Sequence, residues 1–243
     1  MTGDGRRGQD GWAQAVRSRL GLGRLLPLGG ARDGAWIAEE AAVAVLRRAA
    51  GGVQGTALGK LRIAPVGTGA AVGMAVPAPP SALPPGPLRV EAEAEAVAGG
   101  ESLPAAVERL RDALFGACAD GLGLDVTEVD VRVTGLLEAR PDPSAAAGPD
   151  ARPDQPAVVG PDRGAAAVRG PEAEAAAAVP GVAHLTGVLG AAVHRTDYNV
   201  RVELAVASGR RALDVTGAVR SAVAAVAGAD RSVAVLVTAV ELP

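Results

Sequence analysis

Hydrophobic positions recur along this chain with two alternating periods. Ile37, Ala41, Val45 and Ala49 repeat every four residues. With Asp33 as a cap, Glu39 and Glu40 early, Arg47 and Arg48 late, and Gly51 and Gly52 as a stop, this predicts a first helix whose charges complement its dipole. A short strand, Leu58–Ala64, follows. In PLRVEAEAEAV, Leu88, Val90, Ala92, Ala94 and Ala96 alternate with Arg89, Glu91, Glu93 and Glu95. That is a strand with one dry and one wet face. Ser102 then caps a helix carrying Val107, Leu110, Leu114 and Cys118 on one side, with Glu108, Arg111 and Asp112 on another. Asp120, Gly121 and Gly123 stop it, and 126–133 alternates again: Val129, Val131 and Val133 against Glu128, Asp130 and Arg132.

The second half repeats this order. A helical piece runs from Glu172 to Val179 and ends at Pro180 and Gly181. A strand is predicted over Ala183–Leu189, and another in NVRVELAVA with Val200, Val202, Leu204 and Val206 on one face. A helix over 214–227 turns Val215, Val219, Ala222 and Val226 inward and ends at Gly228. The last strand, RSVAVLVTAVEL, carries Val233, Val235, Val237 and Ala239 on one face and Ala234, Leu236, Thr238 and Val240 on the other, with no charge among them. A strand apolar on both faces is covered on both. The other half of the chain, the N-terminal segment or a second molecule is then expected to cover Leu236 and Val240, a second molecule foremost. Both halves read helix, strand, strand, helix, strand, a degenerate tandem repeat.

Between the halves, 138–171 is rich in Pro, Ala, Asp and Gly without periodicity, the composition of a disordered linker. Residues 64–87 form a Pro-rich insertion within the first half. The expected class is therefore α+β, with an N-terminal segment (1–30), a first module (31–137), a linker (138–171) and a second module (172–243).

This order resembles the alkaline-shock, or Gls-type, envelope-stress family. Ile37, Ala38, Ala41 and Ala42 match its first helix in the first copy. Pro180, Gly181, Val182 and Leu185, then Val200 and Val202, then Val233, Val235 and Val237 match its strands in the second. The resemblance implies a non-enzymatic α+β module that self-associates and serves envelope homeostasis through membrane-bound partners. The chain also resembles actinobacterial proteins grouped under a nucleopolyhedrovirus family label, from which no viral fibre is expected.

Composition narrows the chemistry. The 243 residues carry a net charge of -3, which argues against non-specific nucleic-acid binding. One Cys excludes a disulfide framework and multi-Cys zinc sites. Lys60 is the single lysine, and with one Phe, one Tyr and two Trp the core must be built from Val, Leu and Ala. No stretch reaches the ~18 apolar residues of a membrane span, and no leader is visible, so a cytoplasmic protein, peripheral at the membrane, is expected.

No catalytic, cofactor or metal residue is assigned. His184 and His194 have no Cys or Glu at ligand spacing. His194, Arg195, Asp197 and Tyr198 form the densest polar group of the second half. They read as a turn, and are the first place to seek a small ligand. Thr196 sits among them but points away from its neighbours. Cys118 lies on an apolar stripe and reads as a small hydrophobe. Glu91, Glu93 and Glu95 read as a solvated strand face. The glycines of LGLGRLLPLGG lack the spacing and Lys of a phosphate loop. Gly187 and Gly190 form a G-x-x-G, the basis of an alternative reading as a KH-like nucleic-acid-binding module. The N-terminal GWAQAVRSRLGLGRLL mixes base and hydrophobe as a basic amphipathic helix does. Trp12, Arg17, Leu20 and Arg24 are its candidate interaction residues, beside Leu236 and Val240 at the other end of the chain. The partners expected are proteins, a membrane-bound anchor among them, and further copies of the chain.

Overall fold

Alternating segments become strands because their apolar faces find helices to pack against. The computed structural model describes residues 22–67, 76–98, 102–137, 165–228 and 230–242. Its elements are β1 (Leu25–Leu28), β2 (Ala35–Ala38), α1 (Glu39–Gly51), β3 (Thr56–Pro65), β4 (Leu88–Val97) and α2 (Leu103–Gly116). A π-helical turn, Ala117–Leu122, leads to β5 (Val126–Leu137). Then come α3 (Pro171–Ala177), β6 (Val182–Leu185), β7 (Val193–Arg195), β8 (Asn199–Val206), α4 (Ala212–Ala227) and β9 (Ser232–Val240). The class is α+β.

Two sheets share one hydrophobic core. The smaller runs β3-β4-β5, with β3 antiparallel and β5 parallel to β4. The larger runs β1-β2-β9-β8-β6, with β7 also on β8. Here β6 and β7 are antiparallel to β8, and β9 is parallel to it. From α1 to β5 the order is helix, strand, strand, helix, strand, and from α3 to β9 an additional strand, β7, stands between β6 and β8; in both stretches the middle strand has an antiparallel neighbour before it and a parallel one after it.

The start of the chain departs from its expected place. Leu25–Leu28 and Ala35–Ala38 form an antiparallel hairpin, and β2 lies parallel to β9 with Ile37 beside Val237. A boundary at residue 30 cuts through this hairpin, and residues 31–38 belong to the sheet of the second half. Ile37 and Ala38 are strand, not helix. Asp33 caps no helix: its Oδ2 accepts the Gly30 amide at 2.7 Å in the hairpin turn. Helix α1 begins at Glu39 with no side-chain cap and buries Ala41, Ala42, Leu46 and Ala50. The dry stripe is thus rotated from the predicted Val45 and Ala49.

The hairpin also answers what covers the last strand. Strand β9 lies between β2 and β8, α1 and α4 both pack against it, and Leu236 is 0% exposed. The chain itself supplies the cover expected from a second molecule. Leu236 is a core residue, and Val240 is half-buried beside Val206.

Other corrections are smaller. The strand predicted over Ala183–Leu189 stops at Leu185, and a further strand, β7, takes up His194. Helix α4 buries Val223 rather than Ala222, and Val226 is 46% exposed. Of the presumed linker, 138–164 lies outside the described residues. Within 165–170, the Ala166 amide donates to Leu185 at 2.7 Å. The end of the Pro-rich insertion lies along β1, where Ser81 and Leu83 bracket Leu25 with backbone hydrogen bonds of 3.1 and 2.8 Å.

One glycine ties the halves together. Gly123 ends the π-helical turn in the left-handed region at φ 85. A Cβ there would overlap Leu213 of α4. Its carbonyl accepts the Gly29 amide at 3.1 Å, so the turn seats between the β1–β2 hairpin and α4.

Candidate functional site

The polar cluster around His194 resolves into a hairpin end. His194 and Arg195 lie on β7, and 196–198 turn the chain into β8. The Thr196 amide donates to the Asn199 carbonyl at 2.8 Å, and Thr196 Oγ1 accepts the Asn199 amide at 3.0 Å. Such hydroxyl-to-backbone closure is what Thr supplies in turns. Arg195 forms an ion pair with the buried Glu172 of α3 at 2.9 Å, tying the hairpin to that helix. Tyr198 is 79% exposed. His184 sits on β6, its Nδ1 3.7 Å from Glu241. Among the described residues, no three His, Cys, Asp or Glu side chains gather as a metal would require.

The buried polar centre lies elsewhere, at Glu203 on β8. Its side chain is 0% exposed. It accepts the Leu189 amide at 2.9 Å and pairs with Arg201 at 3.0 Å. Burial pushes its carboxyl upward, against the pull of the Leu189 and Val188 amides and the Arg201 charge. The backbone of Glu203 holds the same loop from both sides: its carbonyl accepts Thr186 and its amide donates to Ala192, at 2.9 and 2.8 Å. The G-x-x-G of Gly187 and Gly190 is therefore a loop closed over a carboxylate, and its Leu189 amide is spent on the chain's own residue. Arg201 and Glu203, two positions apart with opposite sign, share one strand face. That pairing is the sequence signal for this centre, and it passes for ordinary wet-face residues until the cover over that face is seen.

Cys118 is fully buried, and desolvation pushes its thiol up to about 12. Of the candidate interaction residues, Trp12, Arg17 and Leu20 lie outside the described residues, as does most of the predicted amphipathic helix. Leu25 and Leu26, at its predicted end, are buried in β1. Arg24 faces inward: its guanidinium pairs with Glu39 at 2.7 Å and donates to the Ile63 carbonyl of β3. It clasps the hairpin, α1 and the smaller sheet together. Burial pushes the Glu39 carboxyl up, but hydrogen bonds and charge from Arg24, with Arg62 behind, outweigh this and hold it below the usual carboxylate range.

Among the described residues, it is the smaller sheet that keeps an exposed, charged face. Its inner face buries Ile63, Val90, Ala92 and Val129. Its outer face carries Arg62 on β3, Glu91, Glu93 and Glu95 on β4, and Glu128, Asp130 and Arg132 on β5. Arg89 stands 2.5 Å from Glu128 and 3.7 Å from Asp130, and Lys60 stands 4.0 Å from Glu93. A depression of about 740 Å3 on this sheet is lined by Lys60, Arg62, Glu91, Glu93, Asp130 and Arg132, and by Arg47 of α1. The solvated reading of the glutamate stripe fits this geometry.

The outer edge strands, β1, β6 and β7 on the larger sheet and β3 and β5 on the smaller, are treated unequally. An unpaired edge invites another strand, and proteins cover it to prevent that. On β1 the cover is Ser81–Leu83, and on β6 it is Ala166. On β3, Arg24 and Arg47 cap the Ile63 and Gly59 carbonyls. Along the twelve residues of β5, one side chain among the described residues does this: Arg111 of α2 donates to the Val129 carbonyl at 3.0 Å.

No family model, no curated protein and no solved structure matches this chain.

Proposed function

We propose that the chain is a non-enzymatic scaffold of the envelope-stress type, acting through protein contacts and self-association. In this reading it consists of two helix-strand-strand-helix-strand modules in tandem, joined by a linker over 138–171. It works in the cytoplasm, held at the membrane by an anchored partner. The observation that carries the reading is β5, a twelve-residue edge strand beside a charged face, the longest edge strand among the described residues, with one side-chain hydrogen bond to its backbone there. Edge strands and open faces are surfaces that proteins recognise, the former by strand addition. The polar groups that chemistry would draw on are engaged within the fold: Thr196 in its turn, Arg195 with Glu172, and Glu203 with the Leu189 amide. No described helix is long and apolar enough to cross a membrane, and in this reading the partner supplies the anchor.

The test is proximity labelling in cells with the full chain, beside sedimentation of the purified chain over a concentration series. A recurring set of protein neighbours at the membrane, and mass rising with concentration, support the scaffold. A strictly monomeric chain without recurring neighbours overturns it.

A further inference from the structure

We infer that β5 is the chain's self-association edge. Two copies pair antiparallel through Val129–Val133 about a two-fold axis at Val131, joining two three-stranded sheets into one. This rests on the reading of the chain as a self-associating scaffold and names the surface.

The backbone provides the register. The Val129 carbonyl, which receives Arg111, lies on the side of β5 away from β4. Backbone direction alternates along a strand, so the amides and carbonyls of Val131 and Val133 lie on that side too. Opposed about Val131, the two Val131 residues exchange both backbone bonds, and Val129 does the same with Val133 of the second copy once Arg111 swings off the Val129 carbonyl.

The side chains agree with this register. Residues of one parity meet only residues of the same parity, so wet positions meet wet and dry meet dry. Asp130 falls opposite Arg132 of the second copy, and Arg132 opposite its Asp130. These are two opposite-charge pairs of the kind that stabilises neighbouring strands. Both side chains are exposed. On the dry face, Val131 meets its own copy and Val129 meets Val133. Val131 and Val133 are only half-buried in the single chain, and the second copy covers them. Phe115 is one helical turn beyond Arg111, which reaches this edge, and is 46% exposed on the same flank of α2. A register shifted by two residues one way sets Asp130 opposite Thr134 and Arg132 opposite its own copy, and shifted the other way gains Arg132–Glu128 pairs but sets Asp130 against its own copy, so each shifted register carries a like-charge pair that the Val131 register avoids. Charge complementarity therefore selects a second copy over an arbitrary extended peptide.

The experiment uses the full chain in sedimentation velocity, with circular dichroism as the fold check. Asp130→Arg and Arg132→Asp each turn two attractive pairs into two repulsive ones, and each alone weakens association about tenfold or more. Mixed in equal amounts, the two variants meet with both pairs complementary, and association returns. Val131→Pro removes an amide that β4 does not use, and abolishes the dimer with the fold kept. A wild-type chain that stays monomeric, single charge variants that associate as the wild type does, or a mixture that fails to recover overturns the inference. A dimer that survives Val131→Pro also overturns it, while leaving the scaffold reading intact through another surface.

Discussion

The Glu203 carboxylate and the Leu189 amide meet at 2.9 Å, joining the middle of β8 to the loop between β6 and β7. The carboxylate is buried, so its proton is held more tightly in the fold than in the unfolded chain. A folded pKa above the unfolded one means the folded state binds more protons. The contribution of Glu203 to stability is therefore largest below about 4.5, its ordinary value, and declines as pH rises through the folded value. Glu203→Gln lacks this decline. The melting temperature of the wild type minus that of Glu203→Gln, followed by circular dichroism, should fall steadily as pH rises above 4.5. At neutral pH, Glu203→Ala leaves Arg201 without its partner and should cost about 3–5 kcal/mol. A difference flat in pH would remove Glu203 as the titrating group.

Arg24 works with the opposite sign. Its partner Glu39 has a depressed carboxyl, so the clasp between the hairpin, α1 and β3 is at full strength above the ordinary carboxylate value. It is lost as pH falls through the lower, folded value. Both partners are partly exposed, which limits the effect, and Arg24→Ala should cost about 1–2 kcal/mol in urea melts at neutral pH. That cost should shrink at pH values where Glu39 is protonated in the fold. A cost unchanged into strong acid would mean that the bond to Ile63 carries the clasp alone.

These two contacts mark how far the sequence can be read. Strands β4 and β5 are legible in the alternation of Leu88–Val97 and Val129–Val133, because one face packs under helices and the other meets water. The segment AWIA is not legible. Four apolar residues before a helical stripe continue its period, and the strand that makes them β2 is β9, at the far end of the chain. That missing partner also explains Leu236. A strand apolar on both faces does announce double cover, but which element provides it is a property of topology. The hairpin at Thr196 is legible as a polar cluster that reads as a turn, while the bonds to Asn199 that close it are not encoded in composition. Glu203 is hidden because burial of the Arg201–Glu203 face depends on a loop packed from elsewhere.

Leu236 tests that topology directly. It is 0% exposed and stands beside Trp36 in register. Leu236→Ala should cost about 2–5 kcal/mol, the range for deleting a buried leucine. Leu236→Arg should unfold the chain, because a buried unpaired charge has no compensation there. Circular dichroism and sedimentation separate this from an interface role. A folded chain carrying Leu236→Arg, with altered mass only, would place Leu236 at a surface and refute the burial.

Cys118 gives a probe that needs no substitution. The thiol is fully buried in the π-helical turn that follows α2, and burial pushes it up to about 12, so thiolate is scarce at neutral pH. Reaction with a disulfide reagent needs both thiolate and access. Modification in native buffer should therefore proceed only through opening of the core, and should be orders of magnitude slower than in denaturant. Because opening limits it, the rate should rise with Gly123→Ala. That substitution forces a Cβ into the left-handed turn against Leu213 and loosens the seat between the two halves. The same rate should be indifferent to Tyr198→Phe at the exposed hairpin tip. Rapid labelling of the native wild type would show that Cys118 is reachable without opening, and its structural role in the core would fall.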